Sequence, residues 1–153
     1  MTQYSATLTQ SPVGPLSVVV ENDAVVRLDW AAQPRKAHPL ADEAVAQLAA
    51  YFEGRLTKFD LAIALQGTEF QRRFLAALCE IPQGQTRTYG QLAKELSVSA
   101  QAIGQACGAN PIPVIVPCHR VLAQCGLGGF SGAGGVEAKV TLLRLESAAS
   151  LLI

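Results

Sequence analysis

The sequence has little charge and no surplus of either sign. Of its 153 residues 16% are charged, with 12 Lys and Arg against 12 Asp and Glu, so no strong overall field marks it as a binder of nucleic acid or membrane surface. It has only two histidines, His38 and His119, and none of its four cysteines (Cys79, Cys107, Cys118, Cys125) falls in a CxxC pair, which argues against a structural zinc site. No apolar run nears the ~18 residues needed to cross a bilayer. Met1-Thr2-Gln3-Tyr4-Ser5 lacks the charged start and apolar stretch of a signal peptide. The expectation is a cytoplasmic protein whose cysteines are free thiols in a reducing compartment.

What is present can build a core. Half of the residues are hydrophobic, and the length suits one large or two small domains on the usual scale of ~100–200 residues per domain. The zero net charge hides a mild polarity. Residues 1–67 hold five Lys/Arg against seven Asp/Glu, for −2, and residues 68–153 hold seven against five, for +2. That permits DNA binding by the second part without demonstrating it.

Two β-branched runs, Leu16–Val20 and Ala24–Trp30, flank the turn-forming Glu21-Asn22-Asp23 and predict a hairpin. Leu40, Ala44, Val45, Leu48 and Phe52 recur at helical spacing, and Gly54 sits where a C-terminal cap belongs. A small β-plus-helix domain over residues 1–66 is expected, its last stretch, Asp60–Gly67, a connector with some strand character. A helical domain over 67–153 follows. Thr68-Glu69-Phe70-Gln71 and Thr88-Tyr89-Gly90-Gln91 both fit capping boxes, and Ser99 can cap a further helix from Ala100 to about Gly108. Two short helices joined by Ser97-Val98-Ser99 suggest a helix-turn-helix. Ile112–Val116 reads as a buried extended run leading into Pro117-Cys118-His119-Arg120. A glycine-rich stretch, Gly126–Gly135, precedes a last amphipathic helix.

Cys118 carries the chemical interest. A neighbouring imidazole and guanidinium favour the thiolate, which is the nucleophilic form. A free cysteine is more often a small buried hydrophobe, and the residues alone fit an alkyl acceptor and a Cys-His hydrolase equally.

The segment Asn110-Pro111-Ile112-Pro113-Val114-Ile115-Val116-Pro117-Cys118-His119-Arg120-Val121 resembles the signature of the O6-alkylguanine-DNA alkyltransferases, the methylated-DNA–protein-cysteine methyltransferases. The likeness extends from about Gly67 to Glu146 through Phe70-Gln71, Ile81-Pro82-Gln83-Gly84, Thr88-Tyr89-Gly90-Gln91-Leu92-Ala93, Gly104 and Lys139…Leu142-Leu143…Glu146. It implies an α+β protein, with a ribonuclease-H-like N-terminal domain followed by a winged-helix or helix-turn-helix alkyltransferase domain. The implied activity is DNA repair by direct reversal. An alkyl group passes irreversibly from guanine O6, O4-alkylthymine being left open, to Cys118, once per molecule and without cofactor or metal. The base is flipped out of the duplex to be reached.

By the same resemblance His119 takes the thiol proton through a water and Glu146 orients it. Asn110 shapes the turn before the acceptor. Tyr89, Pro113, Val121, Phe130 and Ser131 hold the base. Ala100, Gln101, Ala102 and Gly104 enter the minor groove of double-stranded DNA. Apart from the resemblance, Arg87, Lys94 and Arg120, with Thr88 beside them, are expected to contact phosphates, which carry no base information and make binding fall with added salt. The protein would act as a monomer and away from membranes. Three positions depart from the family pattern. Gln101 stands where an intercalating arginine is usual, Phe130 replaces a tyrosine, and the loop Ser131–Gly135 is about two residues longer than in many relatives, which adds mobility. The alternative reading is a recognition protein that binds alkylguanine without repairing it, although such proteins replace the acceptor cysteine. A helix-turn-helix regulator is a weaker rival, since no dimerisation segment or strongly basic recognition helix is visible.

Overall fold

The computed structural model describes residues 2–130, 132 and 134–148. The chain divides into two compact units, Met1–Leu65 and Gln66–Ile153.

In the first unit, β1 (Tyr4–Leu8), β2 (Leu16–Glu21) and β3 (Ala24–Asp29) form an antiparallel sheet in the order β1-β2-β3. The expected hairpin is β2-β3. Its turn places Asn22 and Asp23 at positive φ (51° and 58°), the left-handed geometry that matches strand twist and that Asn and Asp tolerate. The third strand, β1, is an addition to the expected hairpin. Its half-exposed Tyr-Ser-Ala-Thr-Leu carries a weak apolar signal, and pairing with β2 from Tyr4↔Val20 to Leu8↔Leu16 is what makes it a strand. Helix α1 (Pro39–Phe52) buries Ala41, Ala44, Leu48 and Tyr51 and lies against β1 and β2. His38 caps it, its Nδ1 accepting from the Leu40 amide at 3.0 Å while Nε2 faces Asp23 at 3.0 Å. Within the connector, Ala62 and Ala64 exchange backbone hydrogen bonds with Val25 (2.8 and 2.9 Å), which accounts for its strand character.

The second unit is mostly helical. It comprises α2 (Glu69–Cys79), β4 (Arg87–Thr88), α3 (Tyr89–Leu96), α4 (Ala100–Gly108), β5 (Val121–Leu122) and α5 (Val136–Leu145). Both capping boxes form, with Thr68 and Gln71 on α2 and Thr88 and Gln91 on α3 bonding reciprocally. Ser97 takes the left-handed conformation (φ 57°, ψ 46°) that ends α3, and Ser99 Oγ accepts from the Ala102 amide at 3.0 Å to start α4. This is a helix-turn-helix. Its core holds Leu92, Ala93 and Leu96 from α3, Ile103 and Ala106 from α4, and Phe74, Leu75 and Leu78 from α2.

One expectation is corrected. Ile112–Val116 is buried but not extended; it folds into tight turns, with Ile115 N–H on Pro113 O at 2.8 Å and Val116 N–H on Ile112 O at 2.9 Å. Prolines at 111, 113 and 117 remove the amide donors that a strand ladder needs, so an apolar, β-branched run coils back on itself.

Candidate active site

Asn110 opens the coil that presents the cysteine. Its Oδ1 accepts from the Ile112 amide at 3.0 Å and its Nδ2 donates to Val116 O at 2.9 Å, so one side chain ties both ends of the turn. Val114 sits inside at φ 70°, a costly conformation for a β-branched residue that such tying enforces. Cys118, His119 and Arg120 then form a single 3₁₀ turn, and β5 pairs in parallel with β4. Because β4 runs directly into α3, that pairing brings Tyr89, the first residue of α3, to the cysteine.

The meeting point is a cavity of about 340 Å³ lined by Cys118, Tyr89, Phe130 and Gly129 together with Gly104, Cys107 and Gly108 of α4. Gly128 (φ 73°) passes under the tyrosine so closely that a Cβ there would stand 2.8 Å from the Tyr89 ring. Burial raises the Tyr89 hydroxyl above its ordinary value, with Cys107 and Cys118 adding to the rise, so it remains a hydrogen-bond donor.

Behind the cysteine lies a buried ionic cluster. Glu146 caps the C-terminal end of α5 and receives His119 Nε2 at 2.7 Å, Arg120 Nε at 2.8 Å and a second Arg120 nitrogen at 2.9 Å. Burial pushes Glu146 up, but the hydrogen bonds from His119 and Arg120 and their charges outweigh it and hold the carboxyl at about 2. His119 is fully buried, and burial lowers it below its ordinary value against the opposing pull of Glu146. A neutral imidazole donating Nε2–H to a carboxylate carries its lone pair on Nδ1, and that buried nitrogen has no protein partner among the described residues. It is a base held in one tautomer.

Two expectations about Arg120 and Cys118 are corrected. Arg120 is 7% exposed, its remaining nitrogen donating to Ile81 O at 2.6 Å, so the guanidinium is used within the protein and does not reach a phosphate. Nor do His119 and Arg120 favour the Cys118 thiolate, because both are turned to Glu146. Burial raises the Cys118 thiol; the Asn110 side chain, the Lys139 ammonium and its own backbone amide pull it down.

Lys139 enters the sequence reading only as part of the family likeness, with no role, yet it belongs to the site. It is fully buried, with Nζ donating to Val121 O at 2.7 Å and Gly129 O at 3.1 Å and standing 5.8 Å from the centre of the Tyr89 ring. It thereby ties the cysteine turn to the glycine-rich loop that roofs the cavity. The available signal was a lysine three and four residues before Leu142 and Leu143, on the apolar face of α5.

The other expected positions distribute as follows. Tyr89, Phe130 and Gly104 line the cavity with Cys118, whereas Pro113 and Val121 are buried in the turns before and after it and are not part of its wall. Ser131 lies outside the described residues. Ala100, Gln101 and Gly104 are exposed on α4 and Ala102 is half-buried. Thr88 is occupied as the cap of α3, and Arg87 pairs with Glu95 at 2.8 Å in an exposed bridge that competition with a phosphate can open.

The second unit thus sets a helix-turn-helix beside a buried thiol, a histidine hydrogen-bonded to a buried carboxylate and a cavity of about 340 Å³. Two family models match: the 6-O-methylguanine DNA methyltransferase DNA-binding domain over residues 69–148 and the ribonuclease-like domain of the same family over residues 5–65. The methylated-DNA–protein-cysteine methyltransferase of Mycobacterium bovis is 43% identical over 147 residues, covering 89% of this chain and 88% of that protein. Its counterpart from Methanosarcina barkeri is 39% identical over 91% of this chain and 94% of its own length. Among solved structures, the Mycobacterium tuberculosis O6-methylguanine methyltransferase superposes with a TM-score of 0.83 at 39% identity, covering 99% of this chain and 97% of that one. The complex of the M. tuberculosis protein OGT with DNA gives 0.80 at 39% identity, covering 93% and 92%. The chain belongs to the 6-O-methylguanine DNA methyltransferase family, proteins that repair DNA by moving an alkyl group onto a cysteine.

Proposed function

We propose that Cys118 is the acceptor and that it takes alkyl groups from O6 of guanine in double-stranded DNA, one per molecule. The observation that carries this is the cavity that unites Cys118 with Tyr89, Phe130 and the small residues of α4. The exposed face of α4, with Ala100, Gln101 and Gly104, enters the minor groove. Small side chains there let backbone approach backbone, and Gln101 occupies the gap left by the everted base. Thr88 and Arg87 lie at the start of α3 to meet the phosphates.

Because burial holds Cys118 as a thiol, its proton must leave as the sulfur attacks. His119, neutral and fixed by Glu146, receives it through solvent at Nδ1. The new Sγ–C bond forms as the O6–C bond breaks, and the electron pair of that bond stays with guanine, which takes up a proton. Tyr89 donates to the leaving base. The resulting thioether has no leaving group and no second step to restore the thiol, so the protein is consumed. It acts as a monomer on this reading. The alternative, recognition without repair, leaves no role for a thiol in the cavity.

The test is stoichiometric. With excess duplex containing O6-methylguanine, lesion loss levels off at one per protein molecule and vanishes in Cys118→Ala, while DNA binding persists. Continued turnover, or loss of lesions in the variant, contradicts the proposal.

A further inference from the structure

Cys107 takes no part in the transfer chemistry, yet its side chain lines the same cavity as that of Cys118, and both are free thiols. Asn110 holds the two positions together. Its backbone amide donates to Cys107 O at 3.3 Å. Its Nδ2 donates at 2.9 Å to Val116 O, the carbonyl that also receives the Cys118 amide at 2.9 Å. One residue therefore clasps both ends of the coil that joins the cysteines. On the face of α4 turned to the cavity, Cys107 stands between Gly104 and Gly108, and a Cβ added at either glycine would meet nothing within 4 Å. A disulfide needs its two Cα atoms within about 7 Å of each other. The clasp keeps the chain returning on itself, and the open space beside Cys107 leaves its side chain room to turn.

We propose that Cys107 is the resolving partner of Cys118 in a reversible disulfide, formed when a peroxide enters the cavity, that switches the protein off and shields Cys118 from irreversible oxidation. Cys118 reacts first. Burial raises its thiol, but the Asn110 side chain, the Lys139 ammonium and its own backbone amide pull it down. Burial and then the neighbouring Cys118 push Cys107 up to about 12, against a smaller opposing effect of Lys139. The Cys118 sulfur attacks one peroxide oxygen, the O–O bond breaks, and the departing hydroxide takes the thiol proton and leaves as water. Cys107 Sγ then attacks the sulfenic sulfur of Cys118. The S–O bond breaks, and a second hydroxide takes the Cys107 proton and leaves as water. Two electrons have passed from the thiol pair to the peroxide. A dithiol reductant reverses the change by exchange and itself becomes a disulfide. Without Cys107 the sulfenic acid meets further peroxide and becomes sulfinic acid, which thiols do not reduce. Loss of repair on oxidation rests on Cys118 being the alkyl acceptor; formation of the disulfide does not.

The experiment exposes the protein to hydrogen peroxide, then to dithiothreitol, and at each stage reads methyl transfer and the mass of the tryptic peptide 95–120, which carries both cysteines. Each protein is compared with its own untreated activity. In the wild type, peroxide should abolish transfer and leave the peptide two hydrogens lighter and closed to iodoacetamide, with both changes undone by dithiothreitol. In Cys107→Ala the same dose should add oxygen to Cys118. After dithiothreitol the wild type should regain roughly tenfold more of its starting activity than this variant, since sulfinic acid persists. Cys107→Ser, closest to cysteine in size, supplies the same comparison should the alanine variant fold poorly. A wild-type peptide that gains oxygen, a bond from Cys118 to Cys79 or Cys125 instead, or variants that recover as fully as the wild type would overturn the inference. An untreated wild type that transfers no methyl group while its oxidised peptide loses two hydrogens overturns the assignment of Cys118 as acceptor and upholds the disulfide.

Discussion

At the scale of single residues, the site is decided by buried polar and charged groups that partner one another. Glu146, His119, Arg120 and Lys139 are all buried, and each is usable only because the others partner it or a backbone carbonyl does. Breaking such a set leaves an uncompensated charge. Glu146→Gln is expected to lower stability by about 3 kcal/mol, since it leaves Arg120 buried without its carboxylate, and to slow transfer by freeing the His119 tautomer. Denaturant unfolding and single-turnover kinetics measure the two effects. Lys139→Met is expected to slow methyl transfer at neutral pH by roughly tenfold, the scale of one lost electrostatic partner in a dry site. It should also move the rising limb of the rate profile to higher pH, because the ammonium is one of the groups that lower the Cys118 thiol. A merely structural lysine would reduce stability without displacing that profile. None of these burials is legible in sequence, because a lone Glu or Lys is by default a solvated group. Glu146 is reachable only through resemblance; His119 stands out as the neighbour of Cys118 but its carboxylate partner does not, and Arg120 reads as a phosphate contact for the same default reason.

At the scale of elements, legibility follows the strength of local signals. The helices α1 to α4 announce themselves through apolar spacing and caps; the N-terminal caps of α2, α3 and α4 form as the sequence predicts them, whereas the His38 cap of α1 carries no such signal. The run Ile112–Val116 misleads because periodicity and β-propensity both describe a strand, while three prolines and the Asn110 clasp impose turns. Strand β1 escapes notice for the opposite reason, a weak pattern completed by its partner β2. On α4 the unusual feature is Gln101, exposed near the helix start, where the resemblance implies a longer cationic side chain. Gln101→Arg is expected to raise affinity for lesion-bearing duplex and to speed repair several-fold, about 1 kcal/mol, the low end of what a new groove contact brings. Electrophoretic binding and repair kinetics check it. Unchanged values would show that glutamine already fills the gap as well as arginine.

At the scale of the whole molecule, the same groups set the response to pH. Glu146 is held at about 2 in the folded state against an ordinary 4.5, so the unfolded chain takes up the proton first as pH falls. Stability present above 4.5 is therefore lost progressively down to about 2. His119, lowered from 6.5 by burial, acts in the same direction and starts the decline below pH 6.5. Cys107 acts in the opposite direction: raised from 9.0 to about 12, it removes stability as pH climbs through that range. Melting temperatures across this series should trace a dome with its acid shoulder beginning below pH 6.5. The glutamine variant at position 146 should flatten the segment from 4.5 to 2. A wild-type shoulder unchanged by that substitution would contradict the role given to the cluster.

The central claim is that one sulfur accepts the alkyl group, and mass spectrometry of the intact protein addresses it most directly. After incubation with a duplex containing O6-methylguanine, the protein should gain a single methyl group, located by peptide mapping on Cys118 and absent in Cys118→Ser. No gain in mass, or a methyl group found on Cys79, Cys107 or Cys125, would contradict the account.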